Sequence, residues 1–184
     1  ARFLRRTSLV ERARPIMRKL METTGETANL GIEKEGKVLF LNQVETHESI
    51  RAFFPPGTLS DMHSSGIGKA LLAHMDADRR NKMIRDMSLP AYTDFTMTDI
   101  SNLKEDLSQI QRQGYSVDNE ERNIGMRCIA APVFDFNREV IAGISVSGPT
   151  SRIKHENVAS MSIQVLHAAM SLTQAIGGVS PAEV

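Results

Sequence analysis

The chain of 184 residues contains no tryptophan and a single cysteine, its aromatic content is 5%, and its 22 basic residues are cancelled by 22 acidic ones. Each shortage excludes something. One thiol, Cys128, cannot close an internal disulfide, which suits a reducing compartment. Zero net charge gives the chain as a whole no electrostatic reason to coat nucleic acid or an anionic membrane. No uninterrupted apolar run approaches the roughly 18 residues of a membrane span, and the arginine-studded start does not read as a signal peptide, so the expected location is the cytoplasm. There is no Cys-x-x-Cys, and His47, His63, His74, His155 and His167 offer no pair at i, i+3 or i, i+4. A dedicated zinc site is therefore not expected. No serine sits in a Gly-x-Ser-x-Gly elbow. Gly66-x-Gly68-Lys69 lacks the full phosphate-loop spacing, so no nucleotide site is read there, and no cofactor is expected.

What is present fits one domain over residues 1–184, large enough to bury roughly 68–70% of its unfolded surface. No repeat, internal linker or low-complexity segment interrupts it. The first residue is Ala1 rather than methionine, which reads as a piece of a longer protein. Residues 1–20 carry Arg2, Arg5, Arg6, Arg12, Arg14, Arg18 and Lys19 against the single acid Glu11. This run is either a solvated helix face or a neighbour of a nucleic-acid-binding module that the chain lacks. The 10 methionines read as core filling, with Met62, Met75 and Met126 as candidates for an adaptable pocket wall.

Leu9, Ala13, Ile16, Met17 and Leu20 recur at helical spacing ahead of Gly25, with Pro15 as the weak point where a kink is expected. Alternation from Ala28 to Ile32, a turn at 34–37 and a run from Val38 to Val44 predict a hairpin. A third strand is expected at Ser49–Phe54, stopped by Pro55-Pro56-Gly57. Ser64 or Ser65 can cap a helix that opens with Gly66 and Gly68. Such a start lets a ligand approach backbone N–H groups where the helix dipole favours an anion, although glycines there also mark close packing. A polar helix follows at Asp76–Met87, then one capped by Thr98 or Asp99 and ended at Gly114. A long helix runs from Val158 to Ile176, and 179–184 is a tail. Helices at both ends packed together, three more in the middle and about five or six hairpin-joined strands make an α+β fold with an antiparallel sheet.

The chemistry gathers between Gly114 and Pro149. Tyr115–Asp118 reads as a strand, followed by an acidic loop and two strands joined at Asp135–Arg138. In the second of these, Ala142, Ile144 and Val146 fall on one face, Gly143, Ser145 and Ser147 on the other. Asp118, Cys128, Ser145 and Ser147 can converge on one concavity if the strands pair, a cup for a small polar metabolite. Glu120 and Glu121 are expected in a solvated loop, since consecutive acids are costly to bury together. A nucleophilic Cys128 would need a cation beside it, yet Arg127 points to the opposite face of the strand. Three readings stay open on the residues alone: a ligand sensor, a cysteine-dependent enzyme, and an assembly domain without ligand.

At MHSSGIGKALLAHM (62–75), GYSVDNEERNIGMRCIAAPVFD (114–135) and ISVSGPTSRI (144–153) the chain resembles the effector-binding domain of the isocitrate lyase regulator (IclR) family of bacterial transcription regulators. The resemblance covers essentially the whole chain. It implies a GAF-like antiparallel sheet flanked by helices, with residues 1–8 ending the linker from an absent N-terminal winged helix-turn-helix domain that binds operator DNA. It further implies a homodimer or homotetramer, no enzymatic activity, and a small carboxylate effector such as glyoxylate or pyruvate. By the same resemblance, the ligand rests on the backbone amides of Gly66 and Ile67, completed by Asp118, Cys128, Ser145 and Ser147. Ile50, Ala52 and Met126 supply apolar wall, and the wall around Phe53, Phe54 and Ser60 departs from relatives in size and polarity.

Overall fold

The computed structural model describes residues 2–52 and 54–181. Phe53 and the last residues of the tail lie outside the described residues. Eleven helices and strands follow one another: α1 (Arg2–Thr24), β1 (Thr27–Lys34), β2 (Lys37–Val44), β3 (Leu59–Asp61), α2 (Gly66–His74), α3 (Ala77–Asp86), α4 (Ile100–Gln113), β4 (Ser116–Asn119), β5 (Met126–Phe134), β6 (Val140–Pro149) and α5 (Val158–Ala175).

All six strands pair antiparallel in one sheet of order β3-β2-β1-β6-β5-β4. The β1–β2 hairpin turns through Glu35 and Gly36, both at positive φ (51° and 80°), the conformation a tight hairpin demands. Its first strand then pairs with β6, 116 residues away at the Asn29↔Ser145 position. That long-range pairing sets the residues of the sheet centre side by side.

The sheet sorts its side chains by parity. One face, with Ala28, Leu30, Ile129, Ala131, Val133, Ala142, Ile144 and Val146, packs under α1 and α5. Arg12 reaches across between those helices to the carbonyl of Ala175. The opposite face carries α2, which itself packs against Leu103, Leu107 and Ile110 of α4. Here small residues are obligatory. A Cβ on Gly143 would stand 2.7 Å from Ile67 Cγ2, and one on Gly31 3.0 Å from Val38 Cγ1. Helix α2 thus lies close on the sheet through Ile67.

One expectation fails, the strand at Ser49–Phe54, while helix α1 runs without interruption through Pro15, the position read as its weak point. The lost hydrogen bond costs about 3 kcal/mol, whereas Leu9, Ala13, Met17, Leu20 and Met21 are all buried along the helix, and burying each large side chain contributes roughly 1.5–3 kcal/mol. Packing therefore outweighs the proline. Residues 49–52 and 54 form no strand, because the free edge of β2 is taken by Leu59–Asp61 instead, Lys37 lying opposite Asp61. Residues 2–8, read as linker, are helical, and Val179 of the tail bonds back to the carbonyl of Asp135 at 2.9 Å. Among the described residues no helix is long and apolar enough to cross a membrane.

Candidate functional site

Helix α2 begins at a polar cap. Ser65 is the N-cap, and its Oγ accepts from the amide of Gly68 at 3.1 Å. The Lys69 amide bonds to Ser65 O at 2.9 Å, while among the described residues the amides of Gly66 and Ile67 have no acceptor. The Ser116 hydroxyl donates to Gly66 O and fixes this turn to β4. Gly66 packs closely on the sheet, where a Cβ would stand 3.3 Å from Cys128 Cβ, a contact relieved by a shift of a few tenths of an ångström. Gly68 serves packing: its Cβ would lie 2.4 Å from Met62 O.

Around those two amides lies a cavity of ≈ 20 Å³, room for about one water. Its floor is sheet: Cys128 from β5, and Ser145 and Ser147 from β6. Asp118 closes one side from β4, directly opposite Cys128 in the strand register. Phe40 and Phe54, stacked 4.8 Å apart, form the apolar wall with Ile67. Ser60, Ser64 and the Arg122 side chain complete it. The residues expected to converge do so, and the Arg122 guanidinium is held there by the Tyr92 ring, 3.7 Å away.

The hydroxyls are oriented by a residue that sequence reading passed over. Asn29 Nδ2 donates to Ser145 Oγ at 3.2 Å and to Ser147 Oγ at 2.7 Å, and its own Oδ1 accepts from Gln43 at 3.3 Å. With lone pairs thus engaged, both serine O–H groups are left to act as donors. The Cys128 thiol donates to Ser147 Oγ at 3.2 Å. Asn29 had a signal: it shares the polar parity of β1 with Gly31.

Burial sets the protonation. The Asp118 carboxyl is pushed up to about 7, first by burial and then by Glu121, against the opposing pull of backbone N–H bonds and Lys69. The Cys128 thiol is pushed well above its ordinary range by burial, then by Asp118. It is a protonated thiol at neutral pH. Arg127 is spent elsewhere, on Asn119 Oδ1 at 2.8 Å and Ile153 O at 2.5 Å. A charge-activated nucleophile is not what the geometry builds.

The acidic loop departs from expectation. Glu121 is buried rather than solvated, because the fully buried Lys69 ammonium meets Glu121 Oε1 at 2.8 Å, Asp106 Oδ2 at 2.8 Å and Val117 O at 2.7 Å. Burial opposes the lysine charge, but Glu121 and Asp106 outweigh it and raise its pKa. Thr93 and Thr96 hydroxyls bind the carbonyls of Glu120 and Glu121 at 2.7 and 2.5 Å. This clamp ties the end of β4, with Asp118, and the loop carrying Arg122 to the helix that offers the amides. Lys69 had a signal, as a lone charge inside the apolar run of α2. Arg122 and Tyr92 had none.

Three wall positions fall outside the cavity lining. Ile50 is 69% exposed, its carbonyl taken by Arg152, so it is no part of a wall. Ala52 is buried and Met126 half-buried, neither among the lining residues. Met62 and Met75 belong to the α2–α4 core. Larger clefts occur elsewhere, such as one of ≈ 390 Å³ at the β1–β2 turn. Of its lining charges, Lys37 is paired with Asp61, and Arg79 with Glu33. The described residues contain no group of three or more His, Cys, Asp or Glu able to hold a metal ion.

Comparison with known proteins gives a consistent result. The family model described as bacterial transcriptional regulator IclR C-terminal matches residues 1–174. The HTH-type transcriptional regulator BhcR of Paracoccus denitrificans is 60% identical over 171 residues, 93% of this chain and 61% of that protein. The transcriptional repressor IclR of Escherichia coli is 40% identical over 179 residues, 96% of this chain and 65% of that protein. The crystal structure of the C-terminal domain of the E. coli transcriptional regulator KdgR superposes with a TM-score of 0.83 at 33% identity, covering 92% of this chain and 99% of that one. The chain spans 61–65% of the length of these curated relatives.

Proposed function

Since the chain belongs to the IclR family of bacterial transcriptional regulators, as its C-terminal domain, we propose that it senses a small carboxylate, a 2-oxo acid such as glyoxylate or pyruvate. In this reading the domain regulates rather than catalyses. It works in the cytoplasm as a homodimer or homotetramer, and an N-terminal winged helix-turn-helix domain contacts operator DNA. The effector acts by favouring one arrangement of subunits, limited by its difference in affinity for the two.

One observation carries the reading. Two amides without acceptors at the start of α2, among the described residues, face the same cavity as Asp118, Cys128, Ser145 and Ser147. The amides and helix dipole suit a carboxylate, and the two serine O–H donors suit a carbonyl or second oxygen. Asp118, near half protonation at neutral pH, can donate a hydrogen bond, so an anion is not repelled. The ≈ 20 Å³ volume is smaller than any such acid, so entry moves the wall. Of the wall groups, Phe54 and Arg122 lie in segments outside helix and strand, as do Ser64 and Ser65, residues 45–52 and 54–58 having no regular structure.

The small volume also favours a second reading, an assembly domain that takes no ligand. A thermal-shift screen of two- and three-carbon acids separates the two. Glyoxylate or pyruvate raises Tm, and Ser145→Ala with Ser147→Ala removes the rise. A screen in which no small acid or neutral metabolite moves Tm of the intact chain defeats the sensing account.

A further inference from the structure

Among the described residues, two buried side-chain polar atoms lack any hydrogen-bond partner, His63 Nδ1 and Ser64 Oγ. Ser64 lines the cavity. It is 1% exposed, so bulk solvent does not reach its hydroxyl, and the cavity it lines, with room for about one water, is where a partner can come from. Its neighbour Ser65 has a defined task, capping α2 through Gly68. Nothing comparable holds Ser64. A buried hydroxyl without a partner destabilises the fold that contains it. Alanine would fill the same backbone position without that penalty.

Resting on the sensing reading above, we propose that Ser64 is a ligand-binding residue, its hydroxyl acting as a third donor to the effector's carboxylate beside the amides of Gly66 and Ile67. The placement supports the carboxylate end of the ligand. Ser64 stands one residue ahead of the cap, at the end of α2 where those amides are offered. A carboxylate has about four lone-pair directions, so two amides leave it under-coordinated in a site closed to water. Ser145 and Ser147, on the sheet floor, remain for the 2-oxo oxygen. The two groups of donors therefore make different demands: the α2 end reads the anion, the floor reads the neighbouring carbonyl.

The test is Ser64→Ala in the 184-residue chain, measured by thermal melting without ligand and by calorimetric titration with glyoxylate and with pyruvate. The variant without ligand melts no lower than the unaltered chain, since no hydrogen bond within the protein is lost. Kd for both acids rises by a like factor, about tenfold or more, the loss of one hydrogen bond to a charged group. Ser64→Cys, with similar shape and a weak donor, repeats the loss of affinity and guards against misfolding of the alanine variant. Unchanged Kd in Ser64→Ala, while Ser145→Ala with Ser147→Ala still abolishes binding, overturns the role of Ser64 and leaves the sensing reading intact. A lowered melting temperature with unchanged Kd does the same, assigning Ser64 to structure. Failure of the unaltered chain to bind either acid overturns both.

Discussion

Replacing Lys69 by methionine tests the clamp that joins the two halves of the site. The side chain has no exposed surface, and its ammonium is shared by Glu121, Asp106 and the Val117 carbonyl. Its removal leaves Glu121, 3% exposed, with a backbone bond from Asn119 at 2.9 Å and no cation. Breaking a buried pair from one side costs about 3–5 kcal/mol. For a domain of this length that is a Tm loss of about 6–20 °C. The double variant Lys69→Met with Glu121→Leu removes the stranded charge as well, so it recovers much of the loss. It does not recover all, because the half-buried Val117 O loses its ammonium partner, a cost of up to about 1–3 kcal/mol. Urea unfolding of the four proteins, with m unchanged, yields a coupling energy of at least about 2 kcal/mol. Strictly additive single effects, or a Lys69→Met cost below about 1 kcal/mol, would refute the claim that this pair holds the acidic loop. The same variant also loosens the position of Asp118 and Arg122, so effector affinity falls along with stability.

Three further outcomes follow from the site. The Asp118 carboxyl sits at about 7 when folded against an ordinary 3.8, so its contribution to stability is full below pH 4 and lost as pH rises through 7. Over that window the unaltered chain loses up to about 4 kcal/mol relative to Asp118→Asn, and anion affinity falls above pH 7 only where Asp118 is present; parallel pH profiles for the two proteins exclude this. Gly68→Ala drives a Cβ to 2.4 Å from Met62 O, which is backbone and cannot give way. It therefore costs more than the 1–3 kcal/mol typical of an overpacked core, whereas Gly66→Ala, 3.3 Å from Cys128 Cβ, stays folded by circular dichroism but occupies the ligand space. Cys128 reacts with iodoacetamide slowly near pH 7 and quickly only in denaturant; rapid labelling of the folded chain would revive a nucleophilic role.

The elements set by local chemistry were readable from the chain. Alternation in 142–147 fixed which face of β6 carries Ser145 and Ser147, since successive side chains point to opposite sides of any strand. Asp99 and Gly114 bound α4 as capping chemistry requires, Gly114 at φ 87°. Shared motifs singled out Gly66, Ile67, Asp118 and Cys128 as candidates, and these line one cavity. Ile50, assigned to the wall by resemblance alone, is 69% exposed in a segment without regular structure, where no periodicity orients its side chain.

Tertiary structure alone decided the rest, because it depends on partners far apart in the chain. The β1–β6 pairing brings Asn29 within 2.7 Å of Ser147, and no local pattern encodes which strands become neighbours. Burial of Glu121 became affordable only when α2 delivered an ammonium from 52 residues away; without that charge, desolvation would have left the loop in water as its composition implies. The cavity's volume and the orphaned Ser64 hydroxyl belong to the same class, since both are set by how α2, the sheet and the Phe40–Phe54 stack close on one another in space.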